Sequence, residues 1–260
     1  MKTIVLAAGY ATRLYPLTEH FPKPLLQIGD NTILGRLLDD IDTISEVTEH
    51  IIVTNGKFAA VFEDWGAERM EEQDHGRLRA SKAVVSSAAK PIRVLNDGTN
   101  TNETRLGAVR DLILAIETFG LDEDLLVVAA DNVLDFSLGA FVEAFHRCGT
   151  SLVMCYHEPS LDRLRRTGVI EVDAQMRVLR MLEKPADPPS HWAVPPFYLY
   201  RREDLPLIKG AIEGGCGFDA PGNLVQYLSG RTSLWAWPMP GRRYDVGDLE
   251  SYEKTKKLFA

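Results

Sequence analysis

Two cations stand near the start of the chain, in a stretch that also contains a loop of small residues. An apolar run over residues 3–8 ends at Gly9, and Arg13 and Lys23 follow it. Backbone N–H groups in a small-residue loop form a concave anion site, and fixed cations add to it. The stretch therefore predicts a site for a triphosphate. The alternative is an ordinary turn with solvated cations, and the groups placed opposite the loop decide between the two.

A carboxylate ends another apolar run, at residues 125–130, where Asp131 is followed by Asn132. Ligands of an open parallel sheet bind at the carboxyl ends of its strands, so Asp131 is expected to face a ligand. Mg²⁺ takes one or two carboxylates and bridges phosphate oxygens. A triphosphate held beside Arg13 and Lys23 therefore predicts Mg²⁺ at Asp131, and a cap on the following turn is the alternative.

Three more charged residues lie in the second half of the chain. Glu183 and Lys184 end a strand-like segment, and Asp245 lies in a turn before the last helix. Glu183 could accept protons from hydroxyl groups, and Lys184 could contact a phosphate. Taken alone, Glu183 and Lys184 are better explained as a surface ion pair, and Asp245 as an ordinary turn aspartate.

The elements that must position these residues alternate between strand and helix up to residue 156. Apolar runs predict strands at residues 3–8, 50–54, 92–95, 125–130 and 151–156. Apolar residues at helical spacing predict helices at residues 33–41, 57–69, 104–119 and 138–148. Residues 70–90 fit either a helix or a mobile connection. The alternation indicates βαβ units and a mostly parallel sheet.

The second half has a different pattern. Strands are predicted at residues 168–172, 178–183, 192–200 and 233–238, and helices at residues 202–212 and 221–228. Asp248 is expected to cap a final helix. We expect these strands to extend the sheet, without a linker between the two halves.

Composition limits the classes of partner. The chain has 260 residues and a net charge of −8, which disfavours nucleic acid and anionic membranes as partners. No apolar run is long enough for a membrane span or a signal peptide core, so a cytoplasmic protein is expected. The three cysteines fit neither a zinc pattern nor a disulfide framework.

Taken together, these segments resemble the sugar-1-phosphate nucleotidyltransferases, the NDP-sugar pyrophosphorylases such as the glucose-1-phosphate thymidylyltransferases. Residues 6–18 and 22–26 are similar to the family's Leu-Ala-Ala-Gly-x-Gly-Thr-Arg-Leu-x-Pro-Leu-Thr loop and its Pro-Lys-Pro-Leu-Leu continuation. Residues 105–108 resemble its nucleotide-side helix start. Residues 130–132, 168–171, 183–185 and 244–247 resemble its Gly-Asp-Asn, its sugar-binding strand, its Glu-Lys-Pro and its second metal aspartate.

The resemblance implies a fold and a domain organisation. The fold is α/β, a Rossmann-like three-layer αβα nucleotidyltransferase fold with a mostly parallel mixed sheet. A single domain over residues 1–260 is expected, with a nucleotide-binding half at about 1–130 and a sugar-binding half at about 131–260. The family's appended β-helix domain is expected to be absent.

The resemblance also implies an Mg²⁺-dependent enzyme that converts an NTP and a sugar 1-phosphate to an NDP-sugar and pyrophosphate. The implied catalytic residues are Arg13, Lys23 and Lys184. The implied nucleotide contacts are Leu6, Ala8, Gly9, Tyr10, Ala11, Thr12, Asn96 and Gly107. The implied sugar contacts are Asn132, Gly168, Glu183, Lys184 and Tyr198. The implied metal ligands are Asp131 and Asp245. The resemblance leaves open whether the protein forms a homo-oligomer.

Ala11 departs from the family pattern, because the family has its second glycine at that position, and Ala130 likewise replaces a glycine. If the position of Ala11 has a positive φ, an alanine there costs roughly 1 kcal/mol or more. The loop at residues 97–103 is also unlike the family's usual base-reading segment, so the base and the sugar stay open.

Three other functions were weighed against this one. A dinucleotide-dependent dehydrogenase is disfavoured, because the loop lacks the third glycine of that fingerprint. A cytidylyltransferase for a non-sugar phosphate such as phosphocholine would be favoured if Trp192, Trp235 or Trp237 lined the site through cation–π contacts. A catalytically silent NDP-sugar-binding homologue has Ala11 as its support.

Overall fold

The structure, a computed structural model, describes residues 1–79 and 90–259. Its strands are β1 (Lys2–Leu6), β2 (Gln27–Ile28), β3 (Asn31–Thr32), β4 (Glu49–Thr54), β5 (Ile92–Asn96), β6 (Leu125–Ala129), β7 (Asn132–Leu134), β8 (Ser151–His157), β9 (Gly168–Val172), β10 (Val178–Glu183), β11 (Trp192–Val194), β12 (Phe197–Tyr200), β13 (Leu234–Pro238) and β14 (Arg243–Asp245). Its helices are α1 (Ile33–Asp42), α2 (Ala59–Arg79), α3 (Ala108–Thr118), α4 (Gly139–Cys148), α5 (Leu161–Leu164), α6 (Leu205–Lys209), α7 (Gly222–Leu228) and α8 (Leu249–Leu258).

Side-chain caps fix the starts of two helices where the sequence predicted them. The Thr32 hydroxyl accepts a hydrogen bond from the backbone N–H of Gly35, and α1 starts at the next residue after Thr32. Asp248 accepts from the backbone N–H of Ser251, whose hydroxyl pairs in return with the Asp248 backbone. Each cap satisfies N–H groups that a helix start leaves without a partner.

The chain divides into two compact units. The first unit comprises Met1–Arg105, Ala129–Gly139 and Gly241–Ala260. In it, β1, β4 and β5 lie side by side and run parallel. Leu6 pairs with Val53, and Thr54 pairs with Asn96, so the three strands end at one edge. The loops that follow these strands therefore lie close together, as expected of a parallel sheet.

A short antiparallel pair adds a second feature to the first unit. In it, β7 pairs with β14, and Asp245 lies directly opposite Asn132. Under this pair lies an apolar cluster of seven buried residues, namely Leu14, Leu26, Ile28, Ile33, Val133, Val246 and Tyr252. The cluster joins the loop after β1 to both strands of the pair, so burial of its side chains positions the polar residues above it.

The second unit comprises Leu106–Val128 and Ala140–Pro240. Its strands follow the order β10-β9-β11-β8-β12-β6, and these neighbours are antiparallel. One further strand, β13, runs parallel to β8. The α/β class with parallel and antiparallel strands is confirmed. Of the five strands predicted up to residue 156, β1, β4 and β5 are the parallel strands of the first unit, whereas β6 and β8 lie in the second unit and pair antiparallel with β12.

Several predicted boundaries were wrong, each for a local reason. The strand predicted at residues 192–200 is interrupted between β11 and β12, because Pro195 and Pro196 have no N–H to donate to a ladder. The helix predicted at 104–119 begins at Ala108, after Gly107 takes a φ of 91°. The helix predicted at 202–212 is a 3-10 turn, Arg202–Asp204, followed by α6.

The ambiguous segment at residues 70–90 is resolved only in part. Residues 70–79 continue α2, and residues 80–89 lie outside the described residues. Within the described parts of the chain, no helix is long and apolar enough to cross a membrane.

Candidate active site

We call residues 8–24 the N-terminal loop, because they follow β1. Two 3-10 turns, Thr12–Leu14 and Lys23–Leu25, carry the predicted cations. Leu14 is fully buried in the apolar cluster, whereas Thr12 and Arg13 are exposed. Thr18 Oγ1 donates to the Ala11 carbonyl at 2.8 Å and holds the first turn closed. The loop thus presents Arg13 to solvent from an anchored backbone.

The backbone of Ala11 is left-handed, so the cost expected for an alanine at a positive φ applies here. Its φ is 47° and its ψ is 41°. An L-residue in this region costs roughly 1–2 kcal/mol. The Ala11 methyl group also packs against the apolar cluster, and burial of a methyl-sized group offsets about 0.8 kcal/mol of that cost. The two effects nearly balance, which explains how an alanine is tolerated there.

We expect Ala11→Gly to raise the free energy of unfolding by less than about 1 kcal/mol, because relief of strain exceeds the lost packing slightly. Urea denaturation of the two proteins measures this difference. A decrease of more than about 1 kcal/mol would show that the methyl group outweighs the strain. Ala8→Gly, at a buried position without a positive φ, is the matched control and should be destabilising.

Gly9 differs from Ala11, because its backbone is not left-handed and it is exposed. A Cβ atom built on Gly9 would meet no atom of the described residues within 4 Å. Glycine is therefore not required here by the fold. The open space above Gly9 fits close approach of a ligand to the loop backbone.

Gly9→Ala should leave the melting temperature unchanged and raise the KM for the nucleotide about tenfold or more, since a methyl group fills the space the ligand approaches. Thermal denaturation together with initial-rate kinetics tests both parts. An unchanged KM would mean that ligand phosphates do not approach Gly9.

Lys23 and Asp131 form the central ion pair of the first unit. The Lys23 Nζ donates to Asp131 Oδ2 at 2.6 Å, and their side chains are 14% and 31% exposed. Burial alone would raise the pKa of Asp131, but the Lys23 ammonium and the Arg243 guanidinium outweigh it and lower the pKa. Asp131 is therefore held ionised, as a metal-binding carboxylate must be.

Asp245 lies on β14, and its pKa is shifted in the opposite direction. Burial and the nearby Asp131 carboxylate raise the pKa of Asp245, while Arg243, Lys23 and Arg13 oppose that rise. The two aspartates are thus close enough to repel each other. Two carboxylates that share a site in this way favour a bound cation.

The environment of Asp131 includes two polar partners. Asn132 is fully buried, and its Nδ2 donates to Asp131 Oδ1 at 2.7 Å. Arg243 donates to Asn132 Oδ1 at 2.6 Å and lies 3.9 Å from Asp245 Oδ1. The Asn132 amide is thus engaged at both ends within the first unit, which assigns it to orienting Asp131. Its predicted contact with a sugar stays a prediction.

The sequence analysis did not select Arg243. A signal was available, because Arg243 and Asp245 are two positions apart on β14 and therefore share one face of that strand. Without the pairing of β14 with β7, that face had no known neighbour.

The carboxylates of Asp131 and Asp245 fit an Mg²⁺ site. Among residues 1–79 and 90–259, no group of three or more His, Cys, Asp or Glu side chains is gathered as a metal site. Mg²⁺ needs fewer, since it is usually held by one or two carboxylates plus waters and substrate phosphates. Asp131 and Asp245 supply that number of carboxylates.

The remaining nucleotide-side residues lie at strand ends and at a helix start. The Leu6 carbonyl accepts from the Ala130 N–H at 3.2 Å, and the Ala8 carbonyl accepts from Asn55 Nδ2 at 2.9 Å. Asn96 is exposed, and its Oδ1 accepts from the Gly98 N–H at 2.8 Å. These contacts fix the backbone of the loops, and the nucleotide contacts of these residues stay predictions.

Gly107 lies in the second unit, and its packing explains the residue type. A Cβ on Gly107 would lie 2.5 Å from the Phe218 carbonyl oxygen. The Phe218 and Asp219 carbonyls accept hydrogen bonds from the N–H groups of Val109 and Ala108 at the start of α3. Glycine therefore lets the chain before α3 pass close to this segment.

Apart from Asn132, the predicted sugar-side residues belong to the second unit. Glu183 ends β10, and its Oε2 would be 3.1 Å from a Cβ on Gly168 and 2.0 Å from one on Gly222. Burial raises the pKa of Glu183, Asp219 raises it further, and Lys184 opposes this. The carboxyl group of Glu183 is thus cradled by two glycines, of which Gly222 was not selected from the sequence.

Lys184 and Tyr198 have different exposures. Lys184 is exposed at a φ of 48°, and its N–H donates to the Thr167 carbonyl at 3.1 Å. Tyr198 is 2% exposed on β12, with its ring stacked against Tyr200. This places Tyr198 in the core of the second unit, and its predicted contact with a sugar stays a prediction.

The chain is similar to known proteins over nearly its whole length. A family model described as nucleotidyl transferase matches residues 2–259. A UTP–glucose-1-phosphate uridylyltransferase of Haloferax volcanii, AglF, is 24% identical, and the match covers 99% of this chain and 96% of that protein. A glucose-1-phosphate adenylyltransferase of Fervidobacterium nodosum is 23% identical over 97% of this chain and 59% of that protein. A solved UDP-glucose pyrophosphorylase with UDP-glucose has a TM-score of 0.79 at 20% identity, and the match covers 99% and 97% of the two chains.

Proposed function

Because the chain belongs to the nucleotidyl transferase family, we propose that it transfers a nucleotidyl group from an NTP to a sugar 1-phosphate, with release of pyrophosphate. The observation that carries this proposal is the cluster of Lys23, Asp131 and Asp245 in the first unit. It combines a cation and two carboxylates in the unit that also presents Arg13. Such a set suits a triphosphate and its metal ion.

The reaction needs alignment and charge neutralisation more than proton transfer. A sugar-phosphate oxygen attacks the α-phosphorus, and its bond forms as the bond to pyrophosphate breaks. The attacking oxygen is already anionic at neutral pH, so no general base is required. The protein therefore acts by holding the phosphates in line and by stabilising the charge that develops on them.

Residues of the first unit would bind the nucleotide phosphates. Arg13 presents a guanidinium that suits bidentate contact with the leaving pyrophosphate. Lys23 supplies a point charge for the α-phosphate region. Mg²⁺ held by Asp131 and Asp245 would neutralise phosphate charge.

Residues of the second unit would bind the acceptor. The Glu183 carboxyl group, packed beside Gly168 and Gly222, can accept hydrogen bonds from sugar hydroxyls. Lys184, exposed directly after Glu183, would bind the phosphate of the acceptor. A sugar phosphate supplies both of these groups in one molecule.

The base of the nucleotide is a separate matter. The two relatives of nearly equal identity differ in the nucleotide their names give, one being a uridylyltransferase and the other an adenylyltransferase. Both names give glucose 1-phosphate as the acceptor. We therefore propose glucose 1-phosphate as the first acceptor to test, with the base to be found by experiment. Cytoplasmic location and assembly into a homo-oligomer stay predictions.

The structure gives little support to phosphocholine as the acceptor. Trp192 packs edge-on against His157, and Trp237 packs against Phe141. Trp235 lies on β13, and its backbone forms an isolated antiparallel β-bridge with Arg177. Trp192 and Trp237 thus each pack against another ring, which favours a packing role for these two over a cage for a quaternary amine.

The test is a pyrophosphate-release screen with ATP, CTP, GTP, UTP and dTTP against several sugar 1-phosphates, with phosphocholine included. We expect release with one or two NTPs and a hexose 1-phosphate, abolished by EDTA and restored by Mg²⁺. Release only with CTP and phosphocholine would replace the proposed acceptor. No release from any pair, with nucleotide binding seen by calorimetry, would favour a silent homologue.

A further inference from the structure

Tyr10 lies in the N-terminal loop, but its side chain is turned inward. The residue is 5% exposed, and its hydroxyl is 3.1 Å from Thr99 Oγ1. Thr99 belongs to the loop after β5 and is itself 6% exposed. A buried contact between side chains thus joins two loops of the first unit that are 89 positions apart in sequence.

The direction of this hydrogen bond follows from the partners of Thr99. Its Oγ1 donates to Asp97 Oδ1 at 2.8 Å, and its N–H donates to the same oxygen at 2.7 Å. A threonine hydroxyl has a single proton to donate, and here Asp97 accepts it. The Tyr10 hydroxyl is therefore the donor to Thr99. Two consecutive hydrogen bonds thus run from Tyr10 to Thr99 and from Thr99 to the buried Asp97.

Backbone hydrogen bonds hold Thr99 and Asp97 in place. The Thr99 carbonyl accepts from the Gly56 N–H at 2.7 Å, and the Asp97 N–H donates to the Thr54 carbonyl at 2.8 Å. The loop after β5 is thus hydrogen-bonded to the end of β4. The Tyr10 hydroxyl links the N-terminal loop to the same loop.

We propose that Tyr10 is a positioning residue that sets the spacing between the N-terminal loop and residues 96–100 for a bound nucleoside triphosphate. This inference rests on the proposed function, in which the N-terminal loop binds the phosphates, and on the predicted nucleotide contact of Asn96 in the second loop. A nucleotide that contacts both loops needs them at a fixed separation. A separation fixed before binding lowers the entropy lost when the ligand binds.

The experiment compares Tyr10→Phe, Thr99→Val and the double variant with the parent. Tyr10→Phe and Thr99→Val should each raise the KM and Kd for the NTP about tenfold, as expected for one lost buried hydrogen bond. The KM for the sugar 1-phosphate and kcat should stay within about twofold of the parent. The double variant should be no weaker than Thr99→Val alone, because that substitution already removes the acceptor of the Tyr10 hydrogen bond. Thr99→Ser retains the hydroxyl and should restore most of the affinity.

A matched control separates positioning from general stability. Tyr252 is 6% exposed, and its hydroxyl donates to the Gln27 carbonyl at 2.9 Å in the same unit. Tyr252→Phe should lower the melting temperature about as much as Tyr10→Phe while leaving the NTP Kd unchanged. Equal Kd values for Tyr10→Phe and the parent would overturn the inference, as would additive losses in the double variant.

The two proposals fail in different ways. If the parent releases no pyrophosphate but binds an NTP, the proposed function falls, and the Kd of Tyr10→Phe still decides the inference. If the parent turns over normally and Tyr10→Phe matches it in every constant, only the inference falls. A parent that binds no NTP overturns both.

Discussion

Asp131→Asn and Asp245→Asn should each lower turnover about a hundredfold or more, while shifting the stability of the metal-free protein in opposite directions. The common loss of rate follows from the proposed role of both carboxylates, since removing one charged group from such a site costs about 3 kcal/mol of barrier. The opposite shifts in stability follow from the partners of each carboxylate. Asp131 is paired with Lys23 at 2.6 Å, whereas burial and the Asp131 carboxylate disfavour ionisation of Asp245.

The magnitudes are limited by solvent exposure. Replacing Asp131 leaves the ammonium of Lys23, 14% exposed, without its carboxylate partner, and should destabilise the fold by about 1–2 kcal/mol. Asp245 is 52% exposed, so screening limits the gain from its removal to less than about 1 kcal/mol. Urea unfolding in EDTA measures both differences.

The pH dependence of stability separates the two carboxylates further. The pKa of Asp131 is lowered from 3.8, so its contribution to stability is present above that value and is lost as pH falls through the folded pKa. The pKa of Asp245 is raised from 3.8, so its contribution is present below that value and is lost as pH rises through the folded pKa. The stabilising effect of Asp245→Asn should therefore appear near neutral pH and vanish in acid.

A metal titration completes this test, because it does not depend on turnover. Mg²⁺ should raise the melting temperature of the parent and have little effect on either variant. Asp135→Asn is the matched control, since Asp135 is exposed beside the same strand pair and accepts from the Arg242 N–H. It should keep the parent's rate and its response to Mg²⁺. Equal destabilisation of Asp131→Asn and Asp245→Asn would contradict the assigned electrostatics.

The local parts of this site were predictable from the sequence. The apolar run before Gly9, the helical spacing in α1 and the caps at Thr32 and Asp248 all depend on residues close together in the chain. Periodicity and capping chemistry decide such features, so they can be found without a structure. The left-handed φ of Ala11 was not predicted from the sequence, which gave only its cost if the position had a positive φ.

The contacts that assemble the site were harder to predict, because they are not local. Lys23 meets Asp131 across 108 positions, and Arg243 meets Asn132 across 111. Neither contact follows from periodicity, since each depends on which strands pair and in which register. The pairing of β7 with β14 places Asn132 where it orients Asp131, and its predicted sugar contact stays a prediction. It also brought in Arg243, which no pattern had selected.

Glycines illustrate the same limit on the sugar side. Gly168 was selected from the resemblance, but its packing reason, the Met181 side chain together with the Glu183 carboxyl group, needs the pairing of β9 with β10. Gly222 meets the same carboxyl group from the start of α7, and nothing in its own sequence neighbourhood indicates this. Close approaches of this kind depend on tertiary packing.

The second large effect is expected for Arg13→Ala, which should lower turnover about a hundredfold or more without a change in stability. Arg13 is exposed, and within the described residues its guanidinium forms no hydrogen bond or ion pair. Its charge nonetheless acts on Asp245 and Asp248, so it lies on the side of the loop that faces the carboxylates. An exposed cation held on an anchored turn without a protein partner is available for a ligand.

The kinetics of the reverse reaction identify the phosphate that Arg13 binds. If Arg13 stabilises the leaving pyrophosphate, Arg13→Ala should raise the KM for pyrophosphate in NDP-sugar pyrophosphorolysis and leave the KM for the NDP-sugar within about twofold. Arg13→Lys should recover only part of the rate, because an ammonium keeps the charge but loses the bidentate geometry. Arg242→Ala removes an exposed arginine of the same unit and should change neither constant by more than about twofold. A normal KM for pyrophosphate in Arg13→Ala would refute the assigned role, even if the forward rate fell, because the lost contact would then lie elsewhere on the substrates.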